Sequence, residues 1–359
     1  MHDHRAAGEH GSVPPALRRA LPAVLVVALL IAAGSLAWPY TVDDAYIVAR
    51  YATRWATGRG YTMNDGPATD GVTGPGFTAL LALGVSLGLA PVFLAKVLGL
   101  SATAAAAALV VSRIRGQAAG RYPAAWALLA LSAQTTLTAW CVGGLETGIA
   151  VFLVTAVTLE TTRQGEPRGV IVGLALGCLA WLRPELAVFG AVQLTAVFTV
   201  SRREAGRALG LAALGAGSVI AFRLFVFGHP LPLSFFAKGG DPLHGFRYAI
   251  GGVLLCTGVG GLVLARRGAV AAGARYRFVA LSLIAHVLAI AVTSGDWMPG
   301  YRLIAPIVPS YVLLAAQGIR FGQVALPRAR LHLVMAALAV AVPAADLAVQ
   351  IPLARNGAA

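Results

Sequence analysis

Long apolar runs separated by short polar segments dominate this chain. A membrane-spanning helix needs about 20 apolar residues, and by that measure the pattern predicts an all-α, polytopic membrane helix bundle with about eleven transmembrane helices. The predicted spans lie near 21–39, 91–112, 122–141, 145–161, 168–183, 185–200, 207–227, 248–265, 276–294, 303–320 and 331–349. No second domain is expected beside this single membrane domain of residues 21–350, which a leader of residues 1–20 precedes and a tail of residues 351–359 follows.

The apolar stretch 77–90 is only 14 residues long and precedes Pro91. Its length predicts an interfacial helix rather than a span, so that residues 40–90 form a first loop with amphipathic and interfacial helices. With this choice, the arginine groups between spans fall on one side and the polar motifs on the other. The positive-inside rule then predicts a plasma-membrane protein with a cytoplasmic N-terminus and a functional site on the extracytoplasmic side.

Composition supports a membrane protein and argues against nucleic-acid binding. The chain is 58% hydrophobic and 12% charged, with a net charge of +14. Its basic residues stand in small groups between apolar runs, as the positive-inside rule requires, rather than in one basic patch. We therefore expect membrane lipids, and not nucleic acid, as its surroundings.

Two adjacent aspartates, Asp43 and Asp44, follow the first apolar run. They begin a predicted amphipathic helix, and a helix N-terminus favours ionised carboxylates. Tyr46, Arg50, Thr53, Arg54 and Thr57 share its polar face, and Ala45, Val48, Ala49, Ala52 and Ala56 its apolar face. A paired carboxylate suits general-base chemistry or a divalent cation such as Mg²⁺, Mn²⁺ or Ca²⁺, whereas a single aspartate could simply cap the helix.

Further charged motifs lie in the loops assigned to the same side. Glu146 begins a helix, where it could merely complement the helix dipole, and Arg183 and Glu185 could pair with each other or contact a phosphate. Lys238 could contact phosphate or extend toward the membrane surface. The other predicted substrate-binding residues are Tyr46, His229, Asp296, Trp297 and Arg302, although Asp296 and Arg302 could also form a simple ion pair.

Several residue types carry no predicted chemistry. Cys141, Cys178 and Cys256 are interpreted as buried hydrophobic side chains, and His286 as a packing histidine within a helix. Asp65 and Asp70 are interpreted as turn residues. No nucleotide-binding loop, dinucleotide fingerprint, serine-hydrolase order or zinc-ligand spacing is present in the sequence.

Taken in order, these motifs resemble the GT-C class of integral-membrane glycosyltransferases. The most similar group contains the terminal arabinofuranosyltransferases of actinobacterial cell walls and related polyprenyl-phosphate-sugar enzymes. The segments that carry the resemblance cover about residues 40–305 and are Asp43–Ile47 with Arg50-Tyr51, Gly58–Tyr61, Asp70–Thr73, Gly144–Thr147, Leu182–Glu185, Pro232–Lys238 and Gly295–Arg302. Many members carry a further extracytoplasmic domain, which we do not expect here because the chain ends soon after Val349.

The resemblance implies an inverting transfer of a sugar, such as arabinofuranose, from a polyprenyl-phosphate donor to a glycan or lipid-linked acceptor of the cell envelope. It assigns the general base to Asp43 or Asp44, with a preference for Asp43, and the donor phosphate to Arg183, Lys238 and Arg302. Two other functions remain open at this point. A transporter or flippase for a lipid or polar solute would also need charges and a polar cavity, and a non-catalytic relative could serve as a scaffold.

Overall fold

The computed structural model describes residues 15–233 and 241–322. Within these residues the fold is all-helical, as predicted, with thirteen α-helices and two short 3₁₀ turns, Pro184–Leu186 and Ala305–Ile307. In chain order the α-helices are α1 (Pro15–Leu36), α2 (Asp43–Ala56), α3 (Pro75–Ser86), α4 (Pro91–Arg115), α5 (Arg121–Ser132), α6 (Thr135–Val142), α7 (Thr147–Thr161), α8 (Gly169–Leu182), α9 (Ala187–Phe198), α10 (Arg202–Phe227), α11 (Pro242–Ala271), α12 (Ala274–Val292) and α13 (Val308–Gly322).

Five of the described helices are long and apolar enough to cross a membrane, namely α1, α4, α10, α11 and α12. The bent pair α5 and α6, which breaks by 55°, raises this number to six if the two helices form one span. The protein is therefore a helical membrane protein by length and composition. The expected number of eleven spans is not reached among the described residues, and the predicted span 331–349 lies outside them.

The shortfall has a physical cause in the length of the middle helices. The apolar runs 145–161, 168–183 and 185–200 fold as α7, α8 and α9, which contain 15, 14 and 12 residues. At 1.5 Å per residue, helices of this length reach only about 18–23 Å, less than the roughly 30 Å of a bilayer core. The run 303–320 likewise begins with a 3₁₀ turn, so α13 has only 15 residues.

Helices α7 and α12 connect two chemically different ends of the bundle. Glu146 precedes α7 and Arg163 follows it, while Arg275 lies at the start of α12 and Thr293 follows its end. Glu146 and Thr293 therefore lie at one end of these two helices, and Arg163 and Arg275 at the other. Which side of a membrane each end faces stays a prediction.

The first loop folds much as its period predicts. Residues 43–56 form α2, and all of its predicted apolar face is buried except the half-buried Ala56. The prediction is wrong for Arg54, which is buried and donates a hydrogen bond of 2.5 Å to the exposed carboxylate of Asp65. Tyr51 is also buried, with its hydroxyl 2.6 Å from that of Thr69. These contacts tie α2 to the loop that follows it.

Small residues allow α8 and α10 to pack with their backbones in close contact. Gly169, Gly173 and Gly177 recur every four residues along α8, and a Cβ atom at each would meet the α10 backbone. Such small-residue spacing is a common basis of helix pairing in membranes. At Gly215 of α10, a Cβ atom would likewise overlap the backbone of Gly177, whereas Gly217 has open space around it.

We expect the substitution Gly215→Leu to destabilise the protein, because overpacking of a close contact costs about 1–3 kcal/mol. Gly217→Leu, two residues away on the same helix, provides the matched control and should leave the unfolding temperature nearly unchanged. Thermal unfolding of both purified variants in detergent measures the difference. Equal unfolding temperatures for the two variants would contradict the close contact between α8 and α10.

Candidate active site

A cavity of about 400 Å³ lies at the acidic end of the bundle. It is lined by α2, the loop that precedes α3, the turns that precede α7 and α9, the segment after α10, the end of α12 and the segment around Arg302. Its charged lining residues are Asp44, Glu146, Arg183, Glu185 and Arg302. The structure thus brings together residues that are up to 258 positions apart in the sequence and that were predicted separately.

Asp44 is the carboxylate of this cavity that has no ion pair or side-chain hydrogen bond among the described residues. Glu146 and Glu185 both pair with Arg183, whereas Asp44 is half-buried and faces the cavity alone. Burial raises the pKa of Asp44 above its ordinary value, Arg302 partly opposes this, and the carboxylates of Asp43, Asp296 and Glu146 reinforce it. The helix N-terminus was expected to favour its ionised form, whereas burial and the neighbouring carboxylates favour the protonated form.

Asp43 occupies a different position although it is adjacent in the sequence. It is exposed, does not line the cavity, and accepts a 3.0 Å hydrogen bond from the backbone N–H of Asp44. The first N–H groups of a helix have no intrahelical acceptor, so this contact stabilises the start of α2. The geometry therefore favours Asp44 for chemistry and Asp43 for the helix terminus, which reverses the preference drawn from the resemblance.

Arg183 lines the cavity, pairs with two of its glutamates and is only 4% exposed. Its Nη1 donates to Glu185 Oε1 at 3.0 Å and its Nη2 to Thr147 Oγ1 at 2.7 Å. Its Nε lies 2.7 Å from Glu146 Oε1, as an ion pair rather than an aligned hydrogen bond. Because all three nitrogen atoms have partners, the pairing alternative raised by the sequence is realised, and Arg183 is better suited to positioning the two glutamates than to binding a phosphate.

Arg302 is the cavity's second cation and is held by a single carboxylate oxygen. Its Nε and Nη2 lie 2.8 and 2.7 Å from Asp296 Oδ2, so the ion pair considered in the sequence does form. The guanidinium group also lies over the ring of Trp140, 5.6 Å from its centroid. The same group faces the cavity beside Asp44, which places a cation next to the candidate base.

The segment that carries Asp296 and Arg302 is fixed by contacts from three helices. Trp140 Nε1 donates to the Gly300 carbonyl at 2.8 Å, and the Leu303 N–H donates to the Tyr248 hydroxyl at 3.1 Å. The buried His286 hydrogen-bonds the Leu303 carbonyl through Nε2 at 2.9 Å, as expected for a packing histidine. Tyr301 has a φ of 54°, a conformation that non-glycine residues rarely adopt and that packing must maintain.

A second buried ion pair next to the cavity was not predicted from the sequence. Arg223 Nη1 lies 2.8 and 2.7 Å from the two oxygens of Asp70, and its Nη2 donates to the Thr73 carbonyl at 2.6 Å. Asp70 also accepts a 3.0 Å hydrogen bond from the Leu233 N–H. The signal available was Arg223 itself, a lone charge within the apolar run 207–227, because such a charge in a membrane helix requires a partner.

Asp70 is therefore more than the turn residue that its sequence indicated. Its ion pair and its contact with Leu233 join the first loop to α10 and to the segment that follows α10. Leu231 and Pro232 of that segment line the cavity, next to Thr73 and Gly74 of the first loop. The Asp70–Arg223 pair thus holds together one wall of the candidate site.

Three further predicted site residues, Tyr46, His229 and Trp297, do not line the cavity. Tyr46 and Trp297 are 59% and 68% exposed. His229 hydrogen-bonds the Leu231 carbonyl through Nδ1 at 2.7 Å and stacks on Phe227. Lys238 lies outside the described residues, so its predicted role in phosphate binding stays a prediction.

The described part of the chain holds no group of three or more histidine, cysteine, aspartate or glutamate side chains arranged to bind a metal ion. The cavity lining combines a half-buried carboxylate of raised pKa with Arg302 and with the ion-paired Arg183, Glu146 and Glu185. Such an arrangement can accept a proton and stabilise a developing anion. No protein-family model, characterised protein or solved structure matches the chain.

Proposed function

We propose that this protein is a membrane glycosyltransferase of the GT-C class that moves a sugar from a polyprenyl-phosphate donor to an acceptor of the cell envelope on the extracytoplasmic side. One observation carries the proposal. Asp44, in the first-loop motif that resembles this class, faces the cavity without an ion-pair partner among the described residues, beside the cation Arg302. A GT-C arrangement of the helices and arabinofuranose as the transferred sugar belong to the same proposal.

In this mechanism Asp44 acts as the general base. Its carboxylate accepts the proton of an acceptor hydroxyl, whose oxygen forms a bond to the anomeric carbon of the sugar. The bond between that carbon and the phosphate oxygen breaks at the same time, and the electron pair leaves with the polyprenyl phosphate. Because the oxygen attacks from the face opposite the leaving group, the anomeric configuration is inverted.

The positive charge of Arg302 is suited to the leaving phosphate. Guanidinium groups bind phosphate oxygens with two parallel hydrogen bonds, and stabilisation of a leaving anion is a main source of rate enhancement. Asp296 engages Nε and Nη2 of Arg302, and Nη1 has no such contact among the described residues. Arg183 contributes indirectly, since its ion pairs hold Glu146 and Glu185 in the cavity lining.

Sugar transfer from radiolabelled polyprenyl-phosphate donors tests the proposal. Membranes that contain the wild-type protein should make a labelled glycan from one donor, and membranes with the Asp43→Ala/Asp44→Ala double variant at the same level should make none. Equal product from both proteins would remove the proposed base. Translocation of a lipid or solute by reconstituted protein, without any glycan product, would instead support a transporter or flippase.

A further inference from the structure

A second, larger cavity of about 1010 Å³ lies at the opposite end of the bundle from the candidate active site. Its lining comes from the ends of α4, α7, α11 and α13 and from the start of α12. Four arginines, Arg113, Arg163, Arg275 and Arg320, are among its lining residues, and no aspartate or glutamate is among the described ones. We call it the arginine cavity. Arginines from four separate parts of the sequence converge here.

Most polar partners of these arginines are neutral. Arg113 Nη2 donates to the Thr162 carbonyl at 2.7 Å, Arg275 Nη1 to the Gly165 carbonyl at 2.7 Å, and Arg320 Nε to the Ala118 carbonyl at 2.9 Å. These carbonyls lie at or just beyond helix C-termini, where arginine is a common partner. They orient the guanidinium groups, but a carbonyl dipole does not neutralise a full charge.

The carboxylate nearest to these arginines, that of Glu160, interacts mainly with Arg168. Glu160 lies 3.6 Å from Arg163 Nη1, but it forms closer contacts with Arg168, including a 3.1 Å hydrogen bond from the Arg168 backbone N–H. All four cavity arginines are half-buried, so their charges are partly removed from water. Arg113, Arg275 and Arg320 have no ion pair among the described residues, so the cavity keeps an excess of positive charge that attracts an anion.

We propose that the arginine cavity binds the phosphate of an anionic phospholipid headgroup. A lipid headgroup and a soluble phosphate ester share this chemistry, and one observation together with a general precedent favours the lipid. The cavity opens among the ends of helices that are long and apolar enough to cross a membrane, α4, α11 and α12, where headgroups are found. Basic pockets between membrane helices are also established binding sites for anionic headgroups. The proposed site is separate from the proposed sugar transfer and does not depend on it.

Native mass spectrometry of the full-length protein in detergent can test this site, with dioleoyl-phosphatidylglycerol as the probe and dioleoyl-phosphatidylcholine as the neutral comparison. The wild type should retain phosphatidylglycerol and release phosphatidylcholine. The variant Arg113→Gln/Arg163→Gln should bind phosphatidylglycerol about 10- to 30-fold more weakly, since each basic residue near an anionic headgroup contributes about 1 kcal/mol. Arg115→Gln/Arg277→Gln removes the same charge at the same end and should change binding less than two-fold, because neither side chain lines the cavity.

Three results would overturn the proposal. These are equal retention of both lipids, equal weakening in both double variants, and binding of soluble glycerol 3-phosphate as tight as that of the lipid, which would identify a soluble phosphate ligand. If Arg113→Gln/Arg163→Gln fails to elute as a folded protein, Arg163→Gln alone replaces it. The described ion pair of this side chain is the long one with Glu160, so its loss leaves the helix-end contacts of Arg113 intact.

Discussion

Asp44→Asn is expected to lower sugar transfer by about 10²–10⁴-fold, the usual contribution of a general base. The asparagine keeps the shape of the side chain but cannot accept the hydroxyl proton. The ion pairs of Arg183 and Arg302 should remain intact, because Asp44 takes part in neither. The rate of labelled glycan formation at saturating donor, in purified protein at equal concentration, measures the effect.

The folded state should tolerate this substitution. The pKa of Asp44 is higher in the folded protein than in the unfolded chain, so the folded state binds this proton more tightly. That proton binding stabilises the fold at low pH. The stabilisation is lost as the pH rises from the ordinary pKa of about 3.9 through the raised pKa. At neutral pH Asp44→Asn should therefore be at least as stable as the wild type. In the wild type, transfer should fall as the pH drops through the raised pKa of Asp44, because the base becomes protonated.

Asp43→Asn provides the matched control for the neighbouring position. Asp43 is exposed and accepts only the Asp44 N–H, a contact that the asparagine carbonyl can replace. We expect its transfer rate to stay within a few-fold of the wild type. A large loss in Asp43→Asn with near-normal activity in Asp44→Asn would reassign the base to Asp43.

The second large effect concerns the buried pair of Asp70 and Arg223, whose side chains are 1% and 3% exposed. We expect Asp70→Asn to destabilise the protein by about 3–5 kcal/mol, because it leaves the charge of Arg223 buried without a counter-ion. The wall formed by Leu231 and Pro232 should also loosen, since Leu233 loses a charged acceptor. Unfolding by titration with sodium dodecyl sulfate measures the change in free energy.

The double variant Asp70→Asn/Arg223→Met distinguishes loss of the pair from other effects of the substitution. It leaves no buried charge at this position, so it should recover part of the stability that Asp70→Asn loses. Arg223→Met alone completes the set. If the free-energy changes of Asp70→Asn and Arg223→Met simply add up to that of the double variant, the two side chains do not interact in the folded state.

The amphipathic period predicted α2 and its buried face, because helix period and burial are local consequences of residue order. The prediction was wrong for Arg54, which is buried. It shares the polar face by spacing, yet the loop residue Asp65 folds back over it and supplies a counter-ion. A contact between residues 11 positions apart across a loop depends on how that loop folds, which no local pattern specifies.

The predicted number of membrane spans was too high for the described residues, again because a local pattern does not specify tertiary structure. Hydropathy identifies apolar runs, but it does not report where each helix ends. The run 122–141 breaks into α5 and α6 with a 55° bend, and Pro184 separates α8 from α9 with a 3₁₀ turn between them. Packing against neighbouring helices allows these short elements to be buried without each of them crossing a bilayer.

By itself, the sequence determined the all-helical membrane class, because the length and composition of apolar runs are properties of the chain. Only the tertiary structure decided which aspartate faces the cavity, that Arg183 joins Glu146 to Glu185, and that Arg223 is the partner of Asp70. Adjacent side chains on a helix point about 100° apart. Which of Asp43 and Asp44 faces the cavity therefore depends on the surface that α2 packs against.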